Sequence, residues 1–340
     1  MWPEDQNAVE KVTVIIPCYN AEAFIETAVR SALDQTIPVQ VIVVDDCSKD
    51  GSFALLQAMA AKEPRLTAVR QPQNGGPSAA RNTALRLVKT PWVANLDADD
   101  YLLPDRLRRM VEHGEARDLD FIADDVIRIE PGQSPGEGIR VWKDELFGSV
   151  PMDLALFVRQ NLAKYSGPRR EIGYLKPLMR TQFLHQNDLF FREDMRLAED
   201  YEFYARSLTL GARWELIDPC GYIAVSMPES LSKAYPTSAI EKMVQGDRAF
   251  LKLPGLSADE RAALKEHLHN TNTDFAWRTM IDGVRAKSPA LMMKALMQPP
   301  AVSGKVMLRM VKHLLRLPIL PEVPEETRKP ARESAGLSLT

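Results

Sequence analysis

The chain has 340 residues, 45% hydrophobic and 26% charged, which suits a globular protein with one large core or a core and a smaller appendage. With 43 basic and 46 acidic side chains the formal charge is −3, which argues against a general nucleic-acid binder. Only three cysteines occur, Cys18, Cys47 and Cys220, with no C-x-x-C pair; a disulfide framework and a zinc site are not expected, and a reducing cytoplasm is.

The opening Met-Trp-Pro-Glu-Asp-Gln has no basic flank leading into an apolar core, so no signal peptide is expected. No run of about 18 apolar residues predicts a bilayer-spanning helix. Val12 to Ile16 is a short β-branched run closed by Pro17, which reads as a buried parallel strand. Asn20 is a candidate cap for the helix that Phe24, Ile25, Ala28, Val29, Ala32 and Leu33 then trace. Val41 to Val44 predicts a second strand, the polar turn 45–52 follows, and a helix runs from about Phe53 to Ala61. Leu66 to Arg70 predicts a strand, Gly75-Gly76-Pro77 a turn, Ser78 to Val88 a helix, and Trp92 to Leu96 a strand. Pro104 to Glu115 continues as a helix and Phe121 to Ile129 as one strand. Such alternation predicts an α/β fold with a mainly parallel sheet covered by helices.

Beyond it, 130–138 reads as a surface loop, 151–164 as helical, and Arg169-Arg170-Glu171 as a charged turn. Arg169, Arg170 and Lys176 read as a solvated loop or as partners of a phosphate. Helical patterns dominate from 236 to about 317, and the stretch from Pro321 reads as a disordered tail. The expected division is a catalytic domain over 1–235, a helical region over 236–320 and the tail 321–340.

Ligands of open α/β sheets bind at the carboxyl ends of the parallel strands. Three polar clusters fall at such ends: Pro17-Cys18-Tyr19-Asn20, Asp45-Asp46 and Asp97-Ala98-Asp99-Asp100. Crowded carboxylates repel one another. They form either a solvated acidic turn or a seat for Mg²⁺ or Mn²⁺, ions held by a few carboxylates and a substrate's phosphates. Tyr19 offers a face for a base to stack on, unless it is only a surface aromatic, and Asp46 an acceptor for a ring N–H. Asp45 is expected to support its turn. The five histidines show no metal-ligand spacing among themselves.

Val-Ile-Ile-Pro-Cys-Tyr-Asn-Ala-Glu (14–22), Val-Ile-Val-Val-Asp-Asp-Cys-Ser-Lys-Asp-Gly-Ser (41–52), Asn-Gly-Gly-Pro-Ser-Ala-Ala-Arg-Asn (74–82) and Leu-Asp-Ala-Asp-Asp (96–100) resemble, in order and spacing, the signature blocks of family-two glycosyltransferases. The resemblance covers roughly 11–230 and implies a GT-A fold and a nucleotide-diphosphate sugar donor, most often a UDP-sugar. It implies that Pro17, Tyr19 and Glu22 line the nucleotide pocket, with Asp46 on the base and Asp97 and Ala98 beside ribose and metal. It further implies that Asp99, with Asp97, holds Mn²⁺ or Mg²⁺. Asn74, Gly76 and Arg81 match a block beside the donor, although Arg81 has an alternative as partner of a sheet carboxylate. Inverting transfer needs a base for the acceptor hydroxyl. Leu197-Ala198-Glu199-Asp200-Tyr201 resembles the family's Glu-Asp block, which assigns that base to Asp200; the plain alternative for Asp200 is a helix N-cap.

Processive synthases resembling this family carry Gln-x-x-Arg-Trp. Here Gln245-Gly246-Asp247-Arg248-Ala249 lacks the tryptophan, so one sugar per encounter is expected. The acceptor expected by analogy is a glycan or lipid-linked glycan in surface or exported polysaccharide assembly. Two rivals are a sugar-nucleotide pyrophosphorylase, for which a Gly-rich loop after the first strand is missing, and a silent binding scaffold. In 303–317, Lys305, Arg309, Lys312 and Arg316 fall on one face about 60° wide at about 100° per residue. That basic helix either meets the anionic inner leaflet or packs on the rest of the chain.

Overall fold

The computed structural model describes residues 10–162, 171–196, 198–226 and 236–315. The chain divides into two units, 1–153 with 173–230 and 154–172 with 231–340. The second unit therefore takes in residues 154–172, where the sequence suggested a single boundary near 235.

The strands of the first unit are β1 (Val12–Cys18), β2 (Val39–Asp45), β3 (Leu66–Arg70), β4 (Trp92–Asn95), β5 (Tyr101–Leu102), β6 (Phe121–Asp124), β7 (Ile127–Ile129), β8 (Ile139–Arg140), β9 (Ser149–Pro151), β10 (Leu178–Arg180), β11 (Trp214–Ile217) and β12 (Tyr222–Val225). Its helices are α1 (Ile25–Leu33), α2 (Ser52–Ala60), α3 (Pro77–Leu85) and α4 (Arg106–Ala116), and, after α5 (Leu154–Gln160) of the second unit, α6 (Thr181–Gln186) and α7 (Glu199–Thr209).

Eight strands form one sheet in the order β3-β2-β1-β4-β10-β6-β11-β9. β1 to β4 run parallel, with Cys18 paired to Asp45 and Ile15 to Asn95. Val12, Val14, Ile15 and Ile16 are all fully buried, as expected of a strand covered on both faces. α1 buries Ile25, Ala28, Val29 and Ala32, a stripe at helical spacing. Because β1, β2 and β4 share direction and register, their carboxyl ends deliver residues 19–20, 45–46 and 96–100 to one edge.

Two local expectations are corrected. Asn20 does not cap α1, whose N-cap is Phe24. Asn20 instead adopts a left-handed φ of 50°, and its Oδ1 accepts from the Lys49 amide at 2.8 Å, tying the two first strand ends together. The run 121–129 is two strands: β6 stays in the large sheet, while β7 joins β5, β12 and β8 in a second sheet. Between them, the Asp125 carboxylate accepts from the amides of Trp142 and Lys143, which bends the chain away from the first sheet.

The second unit holds α5, α8 (Thr237–Phe250), α9 (Ala258–Arg285), α10 (Pro289–Leu296) and α11 (Pro300–Leu314). α5, α8, α10 and α11 pack on α9, which opens with a reciprocal Ser257–Glu260 capping box. Ala276, Met280, Ala295, Val302 and Val306 form one buried cluster here, and Ile240, Val244 and Phe275 another. Arg169, Arg170, Arg316, Leu317 and the expected tail 321–340 lie outside the described residues.

Candidate active site

Asp46 is buried at the end of β2, and its two carboxylate oxygens accept from the amides of Gly75 and Gly76 at 2.7 and 2.8 Å. Gly76 stands at φ 86°, in the left-handed region glycine tolerates, and this turn aims both amides at Asp46. A carboxylate has about four lone-pair sites, so Asp46 keeps capacity for a base N–H. Beside it Tyr19 is 45% exposed, with a free ring face, and Pro17 is half-buried. The exposed Glu22 accepts from the Gly51 amide at 2.8 Å. Asp45 supports its turn, accepting from the Ser48 amide at 3.1 Å.

The acidic corner after β4 is resolved residue by residue. Asp97 Oδ1 accepts from Arg81 at 2.9 Å, and its Oδ2 lies 3.0 Å from the Lys176 ammonium. Burial would raise the Asp97 carboxyl, but Lys176 and Arg81 outweigh it and bring the group down to about 2. Asp100 is buried, accepting from the Tyr222 hydroxyl at 2.7 Å and the Val225 amide at 2.9 Å. Its carboxyl is pushed up to about 8 by burial and by Asp97 and Asp99. Asp99 alone of the three accepts no hydrogen bond from another of the described residues; burial and Asp97 raise its carboxyl above the ordinary range. Ala98, between them, is half-buried.

Asp200 joins this corner from α7. It is not the N-cap: that position is Ala198, in a left-handed backbone with φ 56°. Asp200 is in the first turn, buried, with Oδ2 accepting from Lys176 at 2.7 Å. Its Oδ1 lies 3.4 Å from Arg81 and accepts no hydrogen bond among the described residues. Glu199 accepts from Arg81 at 2.9 Å. Arg81 is 4% exposed and packs on the Phe191 ring; its guanidinium is committed to carboxylates, the second of the two roles its sequence block allowed.

Lys176 is the residue that sequence reasoning placed least well. It is 5% exposed rather than on a solvated loop, and it bridges Asp97 and Asp200. Burial works against its charge, but Asp200 and Asp97 hold the ammonium protonated well above the ordinary lysine range. One signal was available: Lys176 interrupts the apolar run Tyr-Leu-Lys-Pro-Leu-Met just before β10. Tyr222, whose hydroxyl also accepts from the Asp97 amide at 3.2 Å, carried no such mark.

Two buried cations thus face Asp97, Glu199 and Asp200, while Asp99 has no cation of its own and Asp100, its carboxyl pushed up to about 8, holds its proton near neutral pH. Among the described residues no three His, Cys, Asp or Glu side chains form a ready metal cage. Asp99 fits a hard divalent cation, because its oxygens are uncommitted and its burial disfavours a bare charge. Asp97 does not offer a free oxygen in this arrangement, since both are taken by cations.

The family described as Glycosyl transferase family 2 matches residues 13–162. Over 273 residues the chain is 38% identical to the succinoglycan biosynthesis protein ExoU of Rhizobium meliloti, covering 80% of this chain and 78% of that one. It is 29% identical over 321 residues to ExoO, a succinoglycan biosynthesis protein of the same organism, covering 93% and 90%. Staphylococcus aureus TarS 1–349, solved with UDP-GlcNAc, superposes with a TM-score of 0.64 at 21% identity, covering 89% and 92%, a likeness of fold. With its GT-A architecture and this extent of identity, the chain belongs to glycosyl transferase family 2 and is a glycosyltransferase.

Proposed function

We propose that the enzyme moves a single sugar, with inversion, from a UDP-sugar to a glycan or lipid-linked acceptor in polysaccharide assembly, with Mn²⁺ or Mg²⁺ held at Asp99. The observation that carries this is the convergence of Asp97 and Asp200 on Lys176 and Arg81 at the carboxyl end of β4, with the uncommitted Asp99 two residues from Asp97. Two relatives named for succinoglycan biosynthesis support the polysaccharide setting, and the TarS complex with UDP-GlcNAc supports a nucleotide-sugar donor.

The roles follow from the geometry. Tyr19 would stack on the base and Asp46 accept from its ring N–H, with the turn at Gly75 and Gly76 fixing that carboxylate. Pro17, Glu22 and Ala98 would complete the nucleotide wall. Asp99 would hold the divalent cation, which when bound supplies Lewis-acid stabilisation to the departing diphosphate. Asp97, pinned by Arg81 and Lys176, would orient the ribose side and keep Asp99 in place. At Asp200, Oδ2 is committed to Lys176; Oδ1, buried here without a hydrogen-bond partner among the described residues, would take the proton from the acceptor hydroxyl, as that oxygen attacks the anomeric carbon, once the acceptor uncovers it. No helix among the described residues is long and apolar enough to cross a membrane, which fits a one-sugar transferase better than a processive synthase that extrudes its product.

A panel of nucleotide sugars incubated with the enzyme and Mn²⁺ tests this reading. Release of UDP from one UDP-sugar, abolished by EDTA, is the expected result. Selective turnover of a GDP-sugar, or turnover unaffected by EDTA, would overturn the donor or the metal assignment.

A further inference from the structure

Helix α11 is apolar on two opposite sides. One side, Val302 and Val306 with the partly covered Met310, packs into the cluster around Ala276 and Met280 of α9. The other carries Met307, Leu308, Val311 and Leu315, which are 50–63% exposed. At about 100° per residue these four span an arc of about 100°, with only Pro300 and Gly304 between them. The core covers only the first of these sides, because α9 reaches only one face of the helix.

The exposure is concentrated here. Of fourteen exposed large apolar side chains among the described residues, seven fall between Val284 and Leu315, including Met293 and Met297 at helical spacing at the end of α10. Scattered apolar side chains are ordinary on a protein surface, but a clustered stripe marks a site of interaction. The charge in the same stretch is one-sided. From Gly283 to Pro321 there is no Asp or Glu and there are seven Lys and Arg, in a chain whose net charge is −3. Lys312 and Lys305 lie along one edge of the exposed stripe of α11; Lys305 is 2.7 Å from His269 Nε2, Lys294 is paired with Glu241, and Arg309, further round, with Asp274.

We propose that this outward face of α11, extended by Met293 and Met297, lies on an anionic lipid bilayer, with its apolar side chains at the headgroup boundary and the lysines on the lipid phosphates. An apolar stripe edged by lysine, in a stretch of chain that carries no acid of its own, is the pattern of an interfacial helix. No described helix is long and apolar enough to span the bilayer, so the contact is peripheral. The inference deepens the reading of a lipid-linked acceptor and rests on that reading for its purpose, though not for its physics.

The test is co-sedimentation of the full chain with vesicles of phosphatidylglycerol in phosphatidylcholine against phosphatidylcholine alone. Binding to the anionic vesicles, weakened by about 0.5 M salt, is expected. Met307→Glu with Val311→Glu should weaken it by about tenfold or more while leaving the melting temperature within a few degrees. Equal sedimentation with neutral and anionic vesicles, or unchanged binding by the double variant, would overturn the proposal. So would a dimer of the free chain that this variant splits, since a second copy would then be the occupant. Donor hydrolysis by the same wild-type preparation reports separately on the catalytic reading.

Discussion

The Lys176 ammonium donates to Asp200 across 2.7 Å. The same nitrogen lies 3.0 Å from Asp97, so one buried charge joins the proposed base to the acidic corner after β4. A buried cation between carboxylates stabilises only while all partners are present, because losing one leaves bare charge in a poorly solvating site. Lys176→Met should therefore lower stability by about 3–5 kcal/mol in urea unfolding and abolish transfer. Lys176→Arg, which keeps the charge, should recover most of the stability and little of the activity, since a planar fork cannot reproduce one point contact to both acids. Equal stability of Lys176→Met and wild type would show that the bridge holds nothing together.

Asp200→Asn keeps shape and removes the ability to take a proton. Transfer to acceptor should fall roughly 10²–10⁴-fold, with UDP affinity measured by calorimetry nearly unchanged. A parallel loss of UDP binding would move Asp200 from proton transfer to donor binding.

The Asp100 carboxyl, pushed up to about 8 by burial and its acidic neighbours, sets a pH dependence of known sign. The folded chain keeps that proton where the unfolded chain, with a carboxyl near about 4, has lost it. Its favourable contribution is complete in acid and is lost as pH rises from about 4 to 8. Measured with a chelator present, Asp100→Asn should gain melting temperature relative to wild type as pH rises through that window. A difference independent of pH would contradict the assignment.

Much of this was legible in the sequence, and the misses have physical causes. β1, β2 and β4 announce themselves because strands buried on both faces must be continuous apolar runs, and their polar ends then mark the site. Asp46, Asp97, Asp99 and Asp200 were singled out by motif and strand end, and the structure gathers Asp97 and Asp200 around Lys176. Lys176 was not, because its partners are 79 and 24 residues away and it reaches them only through the antiparallel β10, which no local pattern signals. The division of 121–129 between two sheets was hidden for a similar reason, since the bend depends on amides of 142 and 143. On α11 the basic face was legible, but which apolar side chains the core would cover depended on α9.

The central claim is that the negative charge left at 97–100 is there to receive a divalent cation together with a diphosphate, through Asp99. Removing the Asp99 carboxylate relieves repulsion from Asp97, so Asp99→Ala should be no less stable than wild type by more than about 0.5 kcal/mol. The direct measurement is Mn²⁺ binding in the presence of UDP, followed by calorimetry on wild type and Asp99→Ala. A single Mn²⁺ bound by wild type only with UDP, and weakened at least about a hundredfold in the variant, is the predicted result. Equal Mn²⁺ affinity in the two proteins, or none in wild type, would contradict it.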